Sequence, residues 1–376
     1  MPLDPITHLP PQALLNGDSA ALAIDRAVNE LKHGRFLAVH DSATTLVVAA
    51  LETVNPDSIA KLSAITASAC LILTEQRAAA LGMSQTGPVF APLSALADEA
   101  ALRVAAGLDD EPGNPLPALA LRNWTGSKTT LNAALRLAKI ARVAPALIGA
   151  ELEKTSHDAS VLPFDVANLS TDSVGELPEL KRLTECRVPL AGAENTTVML
   201  FRDPCGGAEH IAVKIGDPDT RQALPVRLHS ACLTGDVLGS LRCDCGEQLQ
   251  TAVKRIAELG GGILLYLDQE GRGIGLANKL RAYRFQDAGL DTLDADQYLG
   301  FRADERSYGA AAAILQAIGI SRIQLLTNNP QKIESLRALG IEVTGRLPLV
   351  ASANVHNARY LRAKRERAGH LSDDGD

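Results

Sequence analysis

An α/β chain, more closely an α+β one, built as two domains, is the fold class this sequence predicts. Three observations lead there. At 376 residues the chain exceeds what one ordinary hydrophobic core organises. Segments with helical spacing alternate with short apolar runs along its length. A polar stretch rich in Asp, Ser and Thr, "DVANLSTDSVGELPEL", breaks that alternation and reads as a linker. The seam is placed at Leu177, giving a first domain over 1–177, a second over 178–370 and a loose tail over 371–376. The Pro-rich start through Gln12 reads as loose too.

In the first half, "SAALAIDRAVNELKHG" carries apolar residues at helical spacing and closes at Gly34. "RFLAVH" and "TTLVVAALE" follow as apolar runs suited to buried strands. "TTLNAALRLAKIARVAPALIGAEL" begins as a helix that stops before Pro145. In the second half, "EQLQTAVKRIAELGGG" places Leu249, Val253, Ile256 and Leu259 on one helical face ended by glycines, and "ILLYL" reads as the buried strand after it. "LANKLRAYRFQDAG" and "YGAAAAILQAIG" are helical, "RIQLLT" is a strand, and "QKIESLRALG" is a helix leading into "IEVTGRLPL".

Composition narrows the function. The net charge of −7 argues against a general nucleic-acid binder, so an anionic ligand needs a local basic cluster. No run of about 18 apolar residues suits a membrane span, and the amino terminus has neither a basic region nor an apolar signal core. A cytoplasmic protein is expected. That compartment keeps thiols reduced, so the six cysteines read as metal ligands or buried apolar groups rather than disulfides.

Three of those cysteines lie within "CLTGDVLGSLRCDCG". Cys232, Cys243 and Cys245 offer one ion three thiolates and leave a tetrahedral zinc one ligand short, with His229 as a candidate fourth. An open position is where water binds and loses its proton near pH 7. A structural zinc knuckle and a buried reduced cluster remain the alternatives. Further along, "DQEGRGIG" sets Gly-rich backbone and Arg272 at a strand-to-helix turn, "ADERSYG" sets Asp304 two residues before Arg306, and "LLTNNPQK" ends a strand with Thr327 and Lys332 close by. Each alone reads as a polar turn. Gathered close to the thiols in the sequence, they are harder to read as unrelated polar turns.

In that order and spacing, "RLHSACLTGDVLGSLRCDCGEQL", "YLDQEGRGIGLANKLRAY", "LGFRADERSYG" and "LLTNNPQKIESL" resemble GTP cyclohydrolase II, the zinc hydrolase that opens riboflavin biosynthesis. The resemblance runs from about Arg182 to His370. It implies hydrolysis of GTP to a diaminopyrimidine ribosyl phosphate with release of formate and pyrophosphate, one Zn2+ per catalytic domain, Mg2+ with the triphosphate, and a homodimer. It implies that Cys232, Cys243 and Cys245 hold zinc. Arg227, Leu228, His229, Ser230, Ala231, Gln248, Glu270, Gly271, Arg272, Thr292, Thr327 and Lys332 would line the GTP site. Asp304 would accept a proton, Tyr283 would stand beside the metal chemistry, and Arg306 is the group the family assigns to attack on the α-phosphorus. A guanidinium is protonated at neutral pH, so stabilising charge on the phosphoryl group is the physically sounder role for Arg306.

Three positions depart from the family's commonest pattern. Ala231 stands where an acid is usual, Asp268 where an arginine is frequent, and "DTLDAD" replaces "DTVEAN", which puts Asp296 in place of an asparagine. The first half resembles dihydroxybutanone-phosphate synthase more distantly, through "LRLAKIARVAPALIGAEL" and its acid Glu151. The acidic loop of that family is here "HDSATTLVVA", and Thr129 falls where its histidine belongs, so the first domain is expected to be degenerate and non-catalytic. Two other readings stay open: a homologue acting on another purine or pyrimidine ring, as in uracil catabolism, and a nucleotide-binding regulator with zinc as a staple.

Overall fold

The computed structural model describes residues 19–349 except 84–85, 96–97, 110–125, 153–159 and 170–176, together with residues 357, 362 and 367. The Pro-rich start and the tail over 371–376 lie outside the described residues. The elements in chain order are α1 (Ser19–Lys32), β1 (Leu37–His40), β2 (Thr45–Ala50), α2 (Pro56–Ile65), β3 (Cys70–Leu73), α3 (Glu75–Ala80), β4 (Val89–Pro92), α4 (Glu99–Ala105), α5 (Lys128–Ile140), β5 (Ala146–Leu152) and β6 (Leu162–Asp165). After these come β7 (Lys181–Arg187), β8 (Thr196–Arg202), β9 (Glu209–Ile215), β10 (Leu224–Ser230), α6 (Cys245–Glu258), β11 (Gly262–Leu267), α7 (Leu276–Asp287), α8 (Thr292–Tyr298), α9 (Gly309–Ala317), β12 (Arg322–Leu326), α10 (Pro330–Ala338) and β13 (Glu342–Leu347).

The strands form two separate sheets. Six from the first half pair in the order β4-β3-β5-β2-β1-β6, and seven from the second pair in the order β13-β12-β10-β11-β9-β8-β7. This is the mixed α/β class read from the sequence. In the first sheet only β1 and β6 run parallel, with Leu37 opposite Leu162. One face carries α1 and α5, whose Val28, Leu31, Leu131 and Leu137 pack on Val39 and Val48. The linker reading is corrected at its start: Asp165 ends β6, residues 166–169 form a short helical turn, and Leu169 is buried in the first core. The apolar spacing of Phe164, Val166 and Leu169 outweighs the polar residues between them.

The second sheet is divided in character. β10 pairs in parallel with both β11 and β12, and β12 in parallel with β13, whereas β11, β9, β8 and β7 run antiparallel. The continuous apolar runs of β11 and β12 suit strands covered on both faces. Leu265, Leu267, Ile323 and Leu325 are fully buried among Ala311, Ile314 and Leu315 of α9. β11 lies on one side of β10 and β12 on the other, so the chain reverses direction across β10. In open α/β sheets the crevice outside the carboxyl ends of the strands at such a reversal is where ligands bind. Among the described residues no helix is long and apolar enough to cross a membrane.

The halves meet through polar groups as well as packing. Arg77 in α3 is 1% exposed and donates to the Ala105 and Val104 carbonyls at 2.8 and 2.7 Å and, across the boundary, to the Tyr298 carbonyl at 2.9 Å. Its guanidinium also lies 4.6 Å from the Tyr298 ring centroid. A charged donor contributes about 1.5–3 kcal/mol per hydrogen bond. Arg77→Met is therefore expected to destabilise the protein by about 3 kcal/mol or more, read as a lower urea midpoint; a change within about 0.5 kcal/mol, the range of a neutral surface substitution, would contradict this account of the boundary.

Candidate metal centre and anion site

Three loops leave the carboxyl ends of the central parallel strands and carry part of the predicted site, namely Cys232, Glu270, Gly271, Arg272 and Thr327. Arg227, Leu228 and His229 lie in β10, Gln248 in α6, Tyr283 in α7, Thr292 at the start of α8, Asp304 and Arg306 ahead of α9, and Lys332 in α10. After β10, Ser230 and Ala231 lead into Cys232 and a single wide turn over Leu233–Val237. After β11 comes the turn Glu270–Gly273, and after β12 comes Thr327, followed by Asn329, which caps α10.

The sulfurs of Cys232, Cys243 and Cys245 lie within 4.8 Å of one another, the only group of three or more potential metal ligands found among the described residues. Cys232 and Cys243 are 3.7 Å apart, far beyond the roughly 2.05 Å of a disulfide. A tetrahedral ion bonded to sulfur at about 2.3 Å sets its sulfurs about 3.8 Å apart, so the spacing fits zinc. The space around them is kept by Gly235: a Cβ there would fall 2.7 Å from the Cys243 sulfur and 3.1 Å from the Cys232 sulfur. Thiol donors from Cys243 and Cys245 lower the Cys232 pKa, against its burial and with help from Lys279. Contact with Cys232, together with burial, pushes Cys243 and Cys245 up. Mutual repulsion opposes ionising all three sulfurs at once, and a cation among them would relieve it.

His229 does not join that group. Its Nε2 faces both oxygens of Asp236 at 3.1 Å, and Asp236 also accepts from the Cys232 amide and from the Tyr266 hydroxyl, each at 2.9 Å. The candidate fourth ligand is corrected on this ground, since β10 turns the ring toward Asp236. Burial lowers the His229 pKa more than Asp236 raises it, so the ring is neutral at pH 7, and its Nδ1 is buried without a partner.

Lys279, not singled out from the sequence, ties the metal loop to the turn after β11. Its Nζ lies 3.1 Å from the Cys232 sulfur and donates to Glu270 at 2.8 Å and to the Thr234 hydroxyl at 2.9 Å. Glu270 in turn accepts from the Leu233 amide at 2.6 Å. Gly271 and Arg272 both have φ near +60°, a turn that glycine allows and arginine adopts rarely. A Cβ at Gly271 would press within 3.0 Å of Lys279. Tyr283 is four residues beyond Lys279 on α7, with the Arg242 guanidinium 4.5 Å from its ring centroid. Burial raises the Tyr283 pKa, so the phenol keeps its proton at neutral pH.

The basic residues converge beside this centre. Arg227 is buried in β10, where it donates to the Leu326 carbonyl at 2.9 Å and to Gln248 at 2.6 Å; burial pushes its pKa down to about 10, so it stays cationic at pH 7. Lys332 donates to the Leu228 carbonyl at 2.9 Å, and both Lys332 and Arg306 stand 6.0 Å from the Tyr308 ring centroid. Arg306 donates to Asp304 from its backbone N–H at 3.0 Å and from Nε at 2.9 Å. Burial would raise Asp304, but the Arg306 contacts outweigh it and hold the carboxyl below its usual value. Among the described residues the buried Nε of Arg227 and hydroxyl of Tyr308 have no partner, which leaves two donors open to a further acceptor. Tyr308 went unnoticed in the sequence because one tyrosine before an alanine-rich helix resembles core packing.

Thr327 is buried at the end of β12, with its hydroxyl accepting from the Asn329 amide. Thr292 opens α8, and among the described residues no hydrogen bond joins it to the cluster. Asp296 is 3.6 Å from Arg272. Burial raises its pKa to about 7, the Asp304 charge adds to the rise and Arg272 opposes it.

The folded protein therefore holds the Asp296 proton to higher pH than the unfolded chain does. The associated stability is full below about pH 4 and is lost as pH rises through about 7. The melting temperature of Asp296→Asn relative to wild type is expected to rise from pH 5 to about 7 and to level off above it, as thermal melts between pH 5 and 8 will test; a pH-independent difference would contradict it.

A family model described as GTP cyclohydrolase II matches residues 181–348. A GTP cyclohydrolase-2 of Azospirillum brasilense is 42% identical over 98% of each chain. Another, from Xylella fastidiosa strain 9a5c, is 39% identical over 98% of this chain and 91% of its own. The riboflavin biosynthesis protein RibBA of Synechocystis is 41% identical over 63% of this chain and 45% of its own. Among solved structures, a two-domain 3,4-dihydroxy-2-butanone 4-phosphate synthase from A. baumannii covers 88% of this chain and 99% of its own at 17% identity and a TM-score of 0.32, too distant a likeness to carry an argument. With full-length relatives at this identity, the chain belongs to the GTP cyclohydrolase II family.

Proposed function

We propose that this chain hydrolyses GTP to 2,5-diamino-6-(5-phosphoribosylamino)pyrimidin-4(3H)-one, formate and pyrophosphate, the first step of riboflavin biosynthesis. The observation that carries the reading is the triad of thiols beside a group of buried cations at the carboxyl ends of β10, β11 and β12. Zinc held by Cys232, Cys243 and Cys245 would supply a Lewis acid and an activated water for the ring and formyl hydrolyses. Arg227, Arg272, Arg306 and Lys332 would bind the triphosphate, which brings Mg2+ with it. Arg306 would stabilise charge on the α-phosphoryl group while ionised Asp304 orients it and accepts a proton. Tyr283, protonated at neutral pH, would donate a hydrogen bond rather than act as a base. Gln248, held by Arg227 on one side and Asp244 on the other, presents its amide in a fixed orientation.

The first domain, over 1–177, is taken as non-catalytic and the second, over 178–370, as the enzyme. Asp41, the acid of "HDSATT", is used up locally: it accepts from the Ala43 and Thr44 amides at 2.7 and 2.8 Å, and hydrogen bonding, led by Ser127, lowers its pKa to about 2. Thr129 lies in the first turn of α5, a turn that itself carries no acidic residue.

Two expectations follow from these roles. Cys243→Ser should lose zinc and formate release, because an alcohol is a poor zinc ligand, while still releasing some pyrophosphate. Arg306→Ala should lose both products by about 100- to 1,000-fold. Parallel assays of zinc, formate and pyrophosphate read the outcome, and wild-type turnover of GTP by Arg306→Ala would favour a homologue acting on another ring. Separately, ribulose 5-phosphate with magnesium should give no dihydroxybutanone phosphate; turnover lost on deleting residues 1–170 would overturn the reading of the first domain.

A further inference from the structure

The polar groups that the first half extends across the boundary land on the stretch that carries the site. Glu52 accepts from Arg281 at 2.8 Å on α7, the helix of Lys279 and Tyr283. Thr74 donates to the Gly300 carbonyl at 2.8 Å, and Arg77 holds Tyr298, just ahead of the loop that bears Asp304 and Arg306. The two contacts nearest the chemistry come from the end of α5.

Lys139 donates to Glu305 at 2.6 Å, and the Glu305 side chain is 8% exposed. Glu305 sits between Asp304 and Arg306. Its carboxylate also accepts from the Arg302 amide at 2.8 Å and its guanidinium Nε at 2.9 Å, and its own amide donates to the Arg272 carbonyl at 3.2 Å. A displacement of Glu305 therefore moves Asp304, Arg306 and the Arg272 turn together.

Arg142 acts on the other loop. It holds φ at +58°, unusual for a residue with a side chain. Its guanidinium donates to the Asp268 carboxylate at 2.8 Å and to the Asp268 carbonyl at 2.7 Å, and its own carbonyl accepts from Asn278 at 3.1 Å. Asp268 directly precedes Gln269 and Glu270. Gln269 donates to the Ser307 carbonyl and accepts from the Ser230 hydroxyl. An arginine at 268 would repel Arg142, whereas the aspartate offers it one carboxylate oxygen beside its backbone carbonyl.

We propose that Lys139 and Arg142 are positioning residues, through which the non-catalytic first half fixes the loops of Glu270–Arg272 and Asp304–Arg306 in their working geometry. A packed interface alone has no need to place a strained arginine on Asp268, two residues ahead of the glutamate that holds Lys279, or a lysine on the one residue between Asp304 and Arg306. The activity readout below rests on the proposed GTP hydrolysis; the exchange readout does not.

The full-length zinc-loaded protein is compared with Lys139→Met, Lys139→Arg and Arg142→Gly, the last retaining the positive φ. Lys139→Met and Arg142→Gly are expected to lower kcat for formate release by roughly 10- to 100-fold, the range for a displaced supporting group. Zinc content should stay at the wild-type level and Lys139→Arg should recover most of kcat. Hydrogen exchange should accelerate over 268–275 and 301–308 while β1, β2 and β5 keep their protection. Unchanged kcat and loop exchange in both Lys139→Met and Arg142→Gly would overturn the proposal, as would an equal loss in Lys139→Arg and Lys139→Met. If Lys139→Met fails to fold, Arg142→Gly alone decides by the same criteria. A wild-type protein that releases no formate would count against the GTP reading, and the exchange comparison would still decide whether the loops are braced.

Discussion

Three sulfur ligands crowded within 4.8 Å of one another repel as thiolates unless a cation lies between them, and the second half of this chain is arranged to meet that condition. β10 delivers Cys232 from the centre of the parallel strands. The wide turn over Leu233–Val237 carries the chain past Gly235, whose missing side chain leaves room for the sulfurs, and α6 begins at Cys245. Lys279 brings one positive charge to Cys232 and at the same time holds Glu270. The metal loop and the turn after β11 are coupled through that single ammonium group, so the shape of the anion site depends on how the thiols are held.

The neighbouring cations are fixed in the same economical way. Arg227 is buried because its guanidinium reaches the Leu326 carbonyl on β12 and Gln248 on α6, which ties two strands and a helix around one charge. Burying a cation is costly unless it is hydrogen-bonded, and here the bonds come from β12 and from α6, the helix that Cys245 opens. Among the described residues the Arg227 Nε and the Tyr308 hydroxyl are left without such a bond.

Much of this was legible in the sequence. Spacing alone brought out the three cysteines, because metal ligation needs soft donors close together, and the apolar runs of β11 and β12 read as strands, while their parallel pairing with β10 came only with the fold. Other parts were not visible because they depend on contacts far apart in the chain. The Asp236 that takes His229 away from the metal is seven residues distant in sequence, but only the strand-to-turn geometry shows which way the ring faces. Lys279 is one lysine on a helix until folding sets it against Cys232. Likewise, Lys139 and Arg142 look like solvated residues ending a helix; their partners Glu305 and Asp268 are 166 and 126 positions away. Asp268 read as a departure from pattern, and the structure gives it a partner. Asp165–Leu169 were taken for linker because polar residues there concealed a strand and a buried leucine.

The claim on which the rest stands is that the three thiols share one ion with a position open to water. X-ray absorption at the zinc edge on the purified protein measures this directly. Three sulfurs at about 2.3 Å and one lighter ligand at about 2.0 Å are the expected first coordination sphere. Four sulfurs, or a zinc with no sulfur neighbours, would contradict it.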